Sequence, residues 1–283
     1  MFYYRKYLPV PELRPHISWF YLLEYCGAEL GPYTLPSTAN PSCAMVFNYG
    51  ERYRLSNAHY QDELLPRCFL SGTSTEPYKI GFSGNIGSLG VIFRSPAFKE
   101  VFQLPDLEEF TDKRLDADLF LGKKLDGFTD ALAEAPTPED KIRLANRCFL
   151  ELFKPRLHDL GLAERAAITI LNTRGFLAMD DLAQQLRITP RHLRRVFKEH
   201  TGVSPKFFAR LKRFGYAFYC VNAGKFNWRE LTGANGFYDQ AHLIREFKIF
   251  SGMTPSTYIF DKKKTSIFRT NEKMSVFYNT TMF

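Results

Sequence analysis

The residues of this chain that are best suited to chemistry are arginines, lysines and glutamines on two segments that repeat each other. RHLRRVFKEHTGVSP (191–205) and AHLIREFKIFSGMTP (241–255) align without a gap at an offset of 50 residues, and seven of their 15 positions are identical. Arginine and glutamine can form paired hydrogen bonds with the edges of guanine and adenine, and lysine attracts phosphate. The two segments therefore indicate recognition of a nucleic acid.

Each copy has the sequence pattern of a helix-turn-helix unit. In the first copy, MDDLAQQL (179–186) predicts a short helix, and after a three-residue break Thr189 caps a second helix that begins at Pro190. In the second copy, WREL (228–231) opens the first helix, GFYD forms the turn, and the second helix covers Gln240–Phe250. A second helix with an exposed basic face is the geometry that enters a DNA groove.

Charge divides the chain in the same way. Residues 1–160 hold 18 Lys and Arg against 21 Asp and Glu, a net charge of −3, whereas residues 161–283 hold 20 against 9, a net charge of +11. An acidic half joined to a basic half is expected when only one part meets a polyanion. A simple solubility gradient is the alternative interpretation of charge alone.

Residues 162–260 resemble the DNA-binding domain of the AraC/XylS family of bacterial transcription regulators. The resemblance rests on LAQQLRITPRHLRRVFKEHTGVSP and on ELTGANGFYDQAHLIREFKIFSGMTPSTY, which carries a Gly-Phe-x-Asp turn, an Arg-x-Phe-Lys run and a Gly-x-Thr-Pro-x-x-Tyr close. It implies two reading helices in successive major grooves, joined by a rigid helix at about Pro205–Asn222. Arg187 departs from the pattern, because the family often has glycine there, and Thr232 and His242 replace the usual alanine and aromatic residue.

The resemblance also implies roles for particular side chains. Base reading is expected from six of them: Arg191, Arg194, Arg195, Gln240, Ala241 and Arg245. Phosphate contact and positioning are expected from three others: Thr189, Lys198 and Lys248. His192 and His242 occupy equivalent places in the two copies and are expected to serve the framework rather than a metal ion.

The fold predicted from these patterns is α+β with two domains. Segments rich in aromatic and β-branched residues, separated by turn-rich joints, predict an N-terminal β-rich small barrel or sandwich, cupin-like, with flanking helices. The C-terminal domain is expected to be all-α with two helix-turn-helix motifs. The expected boundaries are a regulatory or sensing domain at 1–132, a linker and helix at 133–160, the DNA-binding domain at 161–260 and a tail at 261–283. The linker helix covers the β-rich domain or pairs with its copy in a second subunit.

The first half holds no obvious catalytic or metal-binding pattern. Five cysteines and six histidines are dispersed through the chain, without a C-x-x-C or H-E-x-x-H spacing. No catalytic residue, metal or cofactor is therefore expected, and the chain is not expected to be an enzyme. A pocket of aromatic residues is a candidate effector site, with Asn48, Tyr49 and Arg94 as candidate polar groups, but aromatic residues at strand spacing more often belong to the core.

The sequence predicts a cytoplasmic, sequence-specific transcription regulator that binds double-stranded DNA and is controlled by a small-molecule effector. The alternative is a ligand-independent DNA-binding protein whose first half only dimerises or contacts RNA polymerase. A DNA-repair or metal-enzyme role is the third alternative. A homodimer and an RNA polymerase contact stay open as further partners. No membrane association is expected, because no apolar run approaches the length of a spanning helix.

Overall fold

The computed structural model describes residues 2–25, 33–94, 98–99, 102–125, 127–153, 161–222, 232 and 237–264. Within them the strands are β1 Phe2–Tyr7, β2 Ile17–Tyr25, β3 Tyr33–Ser37, β4 Ala44–Asn48, β5 Arg54–Ser56, β6 Glu63–Leu64, β7 Cys68–Ser71, β8 Tyr78–Phe82, β9 Ile86–Phe93 and β10 Arg114–Asp116. The α-helices are α1 Asp118–Leu121, α2 Phe128–Glu134, α3 Pro138–Phe153, α4 Leu162–Asn172, α5 Met179–Gln185, α6 Pro190–Thr201, α7 Pro205–Asn222, α8 Gln240–Ser251 and α9 Pro255–Lys264.

The strands form two antiparallel sheets rather than a closed barrel. The larger sheet has the order β1-β2-β9-β4-β7-β10, and the smaller has the order β3-β8-β5-β6. The register aligns Leu22 of β2 with Leu89 of β9, and Phe47 of β4 also pairs with Leu89. Of the two architectures predicted, the sandwich is therefore found and the closed barrel is absent from the part of the chain that the structure describes.

The larger sheet is buried on both faces, and its residues alternate between two apolar clusters. Met45 and Phe47 of β4 belong to a cluster with the helices α1–α3, whereas Ala44 and Val46 face a second cluster on the other side. Side chains of successive strand residues point to opposite faces. Burial on both faces explains why the central strands read as continuous apolar runs in the sequence.

Helix α3 covers the sheet. Its residues Ile142, Ala145, Phe149 and Phe153 are buried in the first cluster. Their helical spacing places them on one face of α3. The helix predicted in the linker therefore packs on the β-rich domain of its own chain.

The second apolar cluster joins the two domains. It contains Ile80 and Phe82 from the smaller sheet together with Phe214 and Phe218 of α7 and Phe250 of α8. A backbone hydrogen bond of 2.8 Å from the N–H of Ala39 to the carbonyl of Phe250 adds to this contact. The sandwich and the helical domain are therefore packed together through a shared core.

The helical domain has a smaller core of its own around the first repeat. This core buries Ile170 of α4, Leu182 of α5, Leu193 and Phe197 of α6 and Phe208 of α7.

None of the described helices is both long and apolar enough to cross a membrane.

Candidate nucleic-acid interface

The helices α6 and α8 begin with the same cap. Thr189 Oγ1 accepts a hydrogen bond of 3.2 Å from the backbone N–H of His192 at the start of α6. Asp239 Oδ1 accepts one of 2.6 Å from the N–H of His242 at the start of α8. These acceptors satisfy donors that a helix leaves unpaired in its first turn. The cap at Thr189 confirms the helix start expected from the sequence.

The two helices also end in the same way. Gly202 and Gly252 follow α6 and α8 with φ angles of +79° and +78°, the left-handed conformation that favours glycine. One residue earlier, the hydroxyls of Thr201 and Ser251 donate to the carbonyls of Phe197 and Phe247 at 2.8 and 2.6 Å. The internal repeat seen in the sequence is thus a repeat of helix, cap and turn at the level of single hydrogen bonds.

The outer faces of both helices carry the side chains expected to read bases. The structure places all of them on the surface, together with the two lysines expected to contact phosphate: Arg191, Arg194, Arg195, Gln240, Ala241, Arg245, Lys198 and Lys248. The inner faces hold Leu193, Phe197, Leu243 and Phe247. Each helix is therefore anchored by its apolar side and presents a basic side to solvent.

A partly buried ion pair holds the second helix to the long helix α7. The guanidinium of Arg210 donates two hydrogen bonds to the carboxylate of Glu246, at 2.9 and 2.8 Å. These bonds raise the pKa of Arg210 above its ordinary value. The ring of Phe214 packs edge-on against that of Phe247 next to this pair, with 5.4 Å between ring centres. Because a planar guanidinium fits a carboxylate in one orientation, the pair fixes α8 against α7.

The first helix packs on α7 through Phe197 and Phe208, and its end is also held by the N-terminal domain. Thr73 Oγ1 donates a hydrogen bond of 2.8 Å to the carbonyl of Thr201, and Thr111 Oγ1 donates one of 3.3 Å to the carbonyl of Gly202. The one-turn helix Leu107–Phe110 packs along the same end of α6. Side-chain hydroxyls of the N-terminal domain thus hold the backbone carbonyls at the end of α6.

Carboxylates of the N-terminal domain stand beside the basic face of α6. Lys198 Nζ donates to Glu108 Oε1 at 2.5 Å. Glu108 and Asp106 line a cleft of about 630 Å³ together with Arg191 and Arg194. A hydrogen bond from Lys99 holds the pKa of the Asp106 carboxyl below its ordinary value. The acidic segment therefore faces the same arginines that are expected to face DNA.

The sequence analysis did not identify this acidic segment as part of the site. The only signal for it was the acidic run DLEE at 106–109, which is common on solvated surfaces. Arg187, which replaces the family's glycine, adopts a φ angle of +55°, so the turn before α6 keeps the left-handed conformation without glycine. The helix predicted to open at WREL (228–231) lies outside the described residues.

The described residues do not gather the dispersed histidines and cysteines into a site. No group of three or more His, Cys, Asp or Glu side chains in this part of the chain could hold a metal ion. None of the described cysteines, which are Cys43, Cys68, Cys148 and Cys220, forms a disulfide, and Cys26 lies outside the described residues. His192 and His242 take part in the two helix starts through their backbone N–H groups.

Two family models match separate parts of the chain. Residues 182–259 match the family model described as a helix-turn-helix domain, and residues 5–116 match one described as a domain of unknown function (DUF6597). No curated protein matches the chain in sequence.

The chain also matches several solved structures. ToxT from Vibrio cholerae is 14% identical, with 85% of this chain and 98% of that chain covered and a TM-score of 0.48. ToxT from strain SCE256 with a bound unsaturated fatty acid is 13% identical, with 85% and 95% covered and a TM-score of 0.47. The AraC-like transcriptional activator CuxR is 15% identical, with 74% and 93% covered and a TM-score of 0.28.

The family match spans α6, α7 and α8, whose basic faces and shared frame have been described. The helical domain is therefore a DNA-binding helix-turn-helix domain, and the chain is a transcription regulator. Within that class, the matched helix-turn-helix domain is of the AraC type.

Proposed function

We propose that this regulator recognises two boxes on one face of duplex DNA, one with α6 and one with α8. The observation that carries the proposal is the equivalence of the two helices, which share caps, ends and buried anchors at an offset of 50 residues. Because both helices are fixed to α7, they move as one unit. Boxes about 10 bp apart, one turn of DNA, would meet both helices.

Roles within the interface follow from exposure and chemistry. Arg191, Arg194 and Arg195 read the first box, and Gln240, Ala241 and Arg245 read the second. Bidentate contacts to bases contribute about 1–3 kcal/mol each to discrimination. Thr189, Lys198 and Lys248 contact phosphates, and the contribution of the two lysines falls as salt rises, because releasing counterions into a more concentrated salt solution gains less free energy.

Selection from a library of random duplexes at near-physiological salt tests the reading helices. The expected result is a two-box motif for the native chain, and relaxed preference at one base pair for Arg245→Ala, with a loss of about 1–3 kcal/mol. Lys79→Ala is the control, because Lys79 is exposed on β8 of the sandwich. Uniform weakening of all duplexes by Arg245→Ala would make Arg245 a phosphate contact, and selection of no motif would contradict sequence-specific reading.

The proposal extends to control by a small-molecule effector. The N-terminal domain contacts α6 through Thr73, Thr111 and Glu108 and shares an apolar cluster with α7 and α8. A ligand that changes the sandwich therefore changes the environment of both reading helices. Thermal unfolding against a metabolite panel tests this, since a ligand that binds only the native state raises the midpoint. A panel without effect on stability or DNA affinity would favour the ligand-independent regulator.

The proposed function includes no catalysis. Burial raises the pKa of the Cys68 thiol well above its ordinary value and that of Cys148 to about 11, and protonated thiols are poor nucleophiles and metal ligands. Stoichiometric zinc in the purified chain would contradict this part of the proposal. A homodimer and a contact with RNA polymerase are kept as further partners, to be measured by light scattering and by pull-down.

A further inference from the structure

The turn before α8 differs from the turn before α6 in where it places a hydroxyl group. In the first copy of the repeat, the cap Thr189 is exposed, whereas Ile188 before it packs on the core of the first repeat. In the second copy, the cap is Asp239, and Tyr238 before it is exposed. Both caps accept a hydrogen bond from the third residue that follows, so the difference between the copies lies in the side chains.

The side chain of Tyr238 lies almost entirely in solvent. It is 91% exposed, more than any other large apolar or aromatic side chain in the part of the chain that the structure describes. No described group forms a hydrogen bond with its phenol oxygen. The hydroxyl can therefore donate a hydrogen bond to a molecule that binds this surface.

The backbone of this turn is held in place on both sides of Tyr238. Phe237 is buried against Ala217 and Leu243. Its ring packs edge-on against the ring of His242, with 5.6 Å between ring centres. The backbone N–H of Tyr238 donates a hydrogen bond of 3.2 Å to Nδ1 of His242. His242 thus packs in the turn and also holds the backbone of Tyr238.

The two caps differ in what they can offer to a phosphate. The hydroxyl of Thr189 accepts the hydrogen bond of the helix and keeps a proton that it can donate outward. The carboxylate of Asp239 only accepts hydrogen bonds, and its negative charge repels a phosphate. The hydroxyl at the start of α8 belongs instead to Tyr238, one residue before the cap. The hydroxyl donor of the first copy is therefore found one residue earlier in the second copy.

The surface around Tyr238 is the one that faces DNA in the proposed function. Gln240 and Ala241 are exposed just after it, and Arg245 and Lys248 continue the exposed face of α8. Tyrosine hydroxyls are among the donors that contact phosphates in protein–DNA complexes. Because Tyr238 precedes the first turn of α8, where the side chains expected to read bases begin, a contact with the sugar-phosphate backbone fits it better than a contact with a base.

We propose that Tyr238 is a further DNA contact, whose phenol donates a hydrogen bond to one phosphate of the second box. The contact positions α8 on the duplex and reads no base. This inference rests on the proposed function, because it assumes that α8 binds DNA. It adds a neutral donor to the phosphate contacts expected from Thr189, Lys198 and Lys248.

Tyr238→Phe tests the contact, because it removes only the hydroxyl. Anisotropy titrations of the full chain use the duplex that the native chain selects and a duplex with one base pair changed in the second box. We expect Tyr238→Phe to weaken binding to both duplexes about three- to tenfold, as for one hydrogen bond, and to leave the ratio of the two affinities unchanged. The salt dependence of binding should also stay the same, because a neutral donor releases no counterion, whereas Lys248→Ala should reduce its log–log slope by about 1.

Tyr7→Phe is the matched control, because it removes a phenol hydroxyl from β1 of the sandwich and is expected to leave DNA affinity unchanged. Full DNA affinity of Tyr238→Phe would overturn the proposal. A changed ratio for the two duplexes would make Tyr238 a base-reading residue and overturn the phosphate contact. The unfolding midpoint of Tyr238→Phe should equal that of the native chain, and a lower midpoint would overturn the proposal by making the hydroxyl part of the fold.

Duplexes with a single neutral methylphosphonate in the second box locate the phosphate. At one position the substitution should weaken binding of the native chain more than that of Tyr238→Phe, because the variant has already lost this contact. At the other positions both proteins should lose affinity alike. Equal losses for the two proteins at every position would overturn the assignment to a phosphate.

Selection of a duplex by the native chain comes first and separates the two hypotheses. Selection of no motif would overturn the proposed function and this inference with it. A two-box motif together with full affinity of Tyr238→Phe would overturn this inference alone and leave the reading helices supported.

Discussion

Replacing Gly202 by alanine is expected to loosen the contact between the N-terminal domain and α6. A Cβ at Gly202 would overlap Thr111 Oγ1 and come within 2.6 Å of the carbonyl oxygen of Leu107. Since the second of these atoms belongs to the backbone, it cannot move away by a simple rotation. The end of α6 and the segment around Leu107 must therefore separate.

The internal repeat supplies a matched control for this change. Gly252 has the same place at the end of α8 and the same φ angle, but a Cβ there would meet only side-chain atoms of Pro77, at 3.6 Å or more. Both variants suffer the strain of a left-handed alanine, about 1–2 kcal/mol. Gly202→Ala adds the overlap with the sandwich, about 1–3 kcal/mol as for an overpacked core.

Denaturant unfolding and DNA affinity of the two variants measure the difference. Gly202→Ala is expected to be about 1–3 kcal/mol less stable than Gly252→Ala. It is also expected to bind DNA about two- to fivefold more tightly than Gly252→Ala, because separation releases Lys198 from Glu108, an exposed pair that contributes up to about 1 kcal/mol. Equal stability of the two variants, or weaker DNA binding by Gly202→Ala alone, would refute the role assigned to this contact.

Three further predictions follow from single contacts. Glu108→Gln should raise DNA affinity about two- to fivefold at low salt and less at high salt, measured by fluorescence anisotropy, and an unchanged affinity would contradict its place beside α6. Burial lowers the pKa of Lys212 to about 7, so between about pH 7 and 10.5 the unfolded chain holds a proton that the folded chain has lost, and the free energy of unfolding rises with pH. Lys212→Met should reduce this rise, measured from unfolding curves at pH 7 and 9.5. Part of the rise should remain, because burial also lowers the pKa of Lys6 to about 7. Glu246→Gln should cost about 2 kcal/mol in denaturant unfolding, less than a fully buried pair because Arg210 is partly exposed, and a neutral effect would show that the pair does not fix α8.

Local sequence determined much of the helical domain. The caps at Thr189 and Asp239 and the glycines at 202 and 252 are properties of a few neighbouring residues, so their repetition predicts repeated structure. The resemblance implied a helix at about Pro205–Asn222, and α7 has these bounds. The DNA contacts of the exposed side chains stay predictions.

The sheets were predictable only where strands are central. The runs around Phe47 and Val91 are buried on two faces and stand out as apolar. The strand β1, at the edge of the larger sheet, mixes tyrosines with Arg5 and Lys6, and β10 has only three residues, so neither gives a clear signal on its own. The contact between the acidic segment and α6 depends on how the two domains pack, and it joins residues far apart in sequence.

The apolar cluster shared by the two domains determines what happens when the chain is cut. In a fragment that begins at residue 161, Phe214, Phe218 and Phe250 would still contact one another, but the side of their cluster that packs on the sheets would face water. Exposed aromatic surface of this kind promotes association between fragments. The DNA-binding half thus shares part of its core with the sandwich. Its solubility in isolation depends on making the newly exposed side of that core polar.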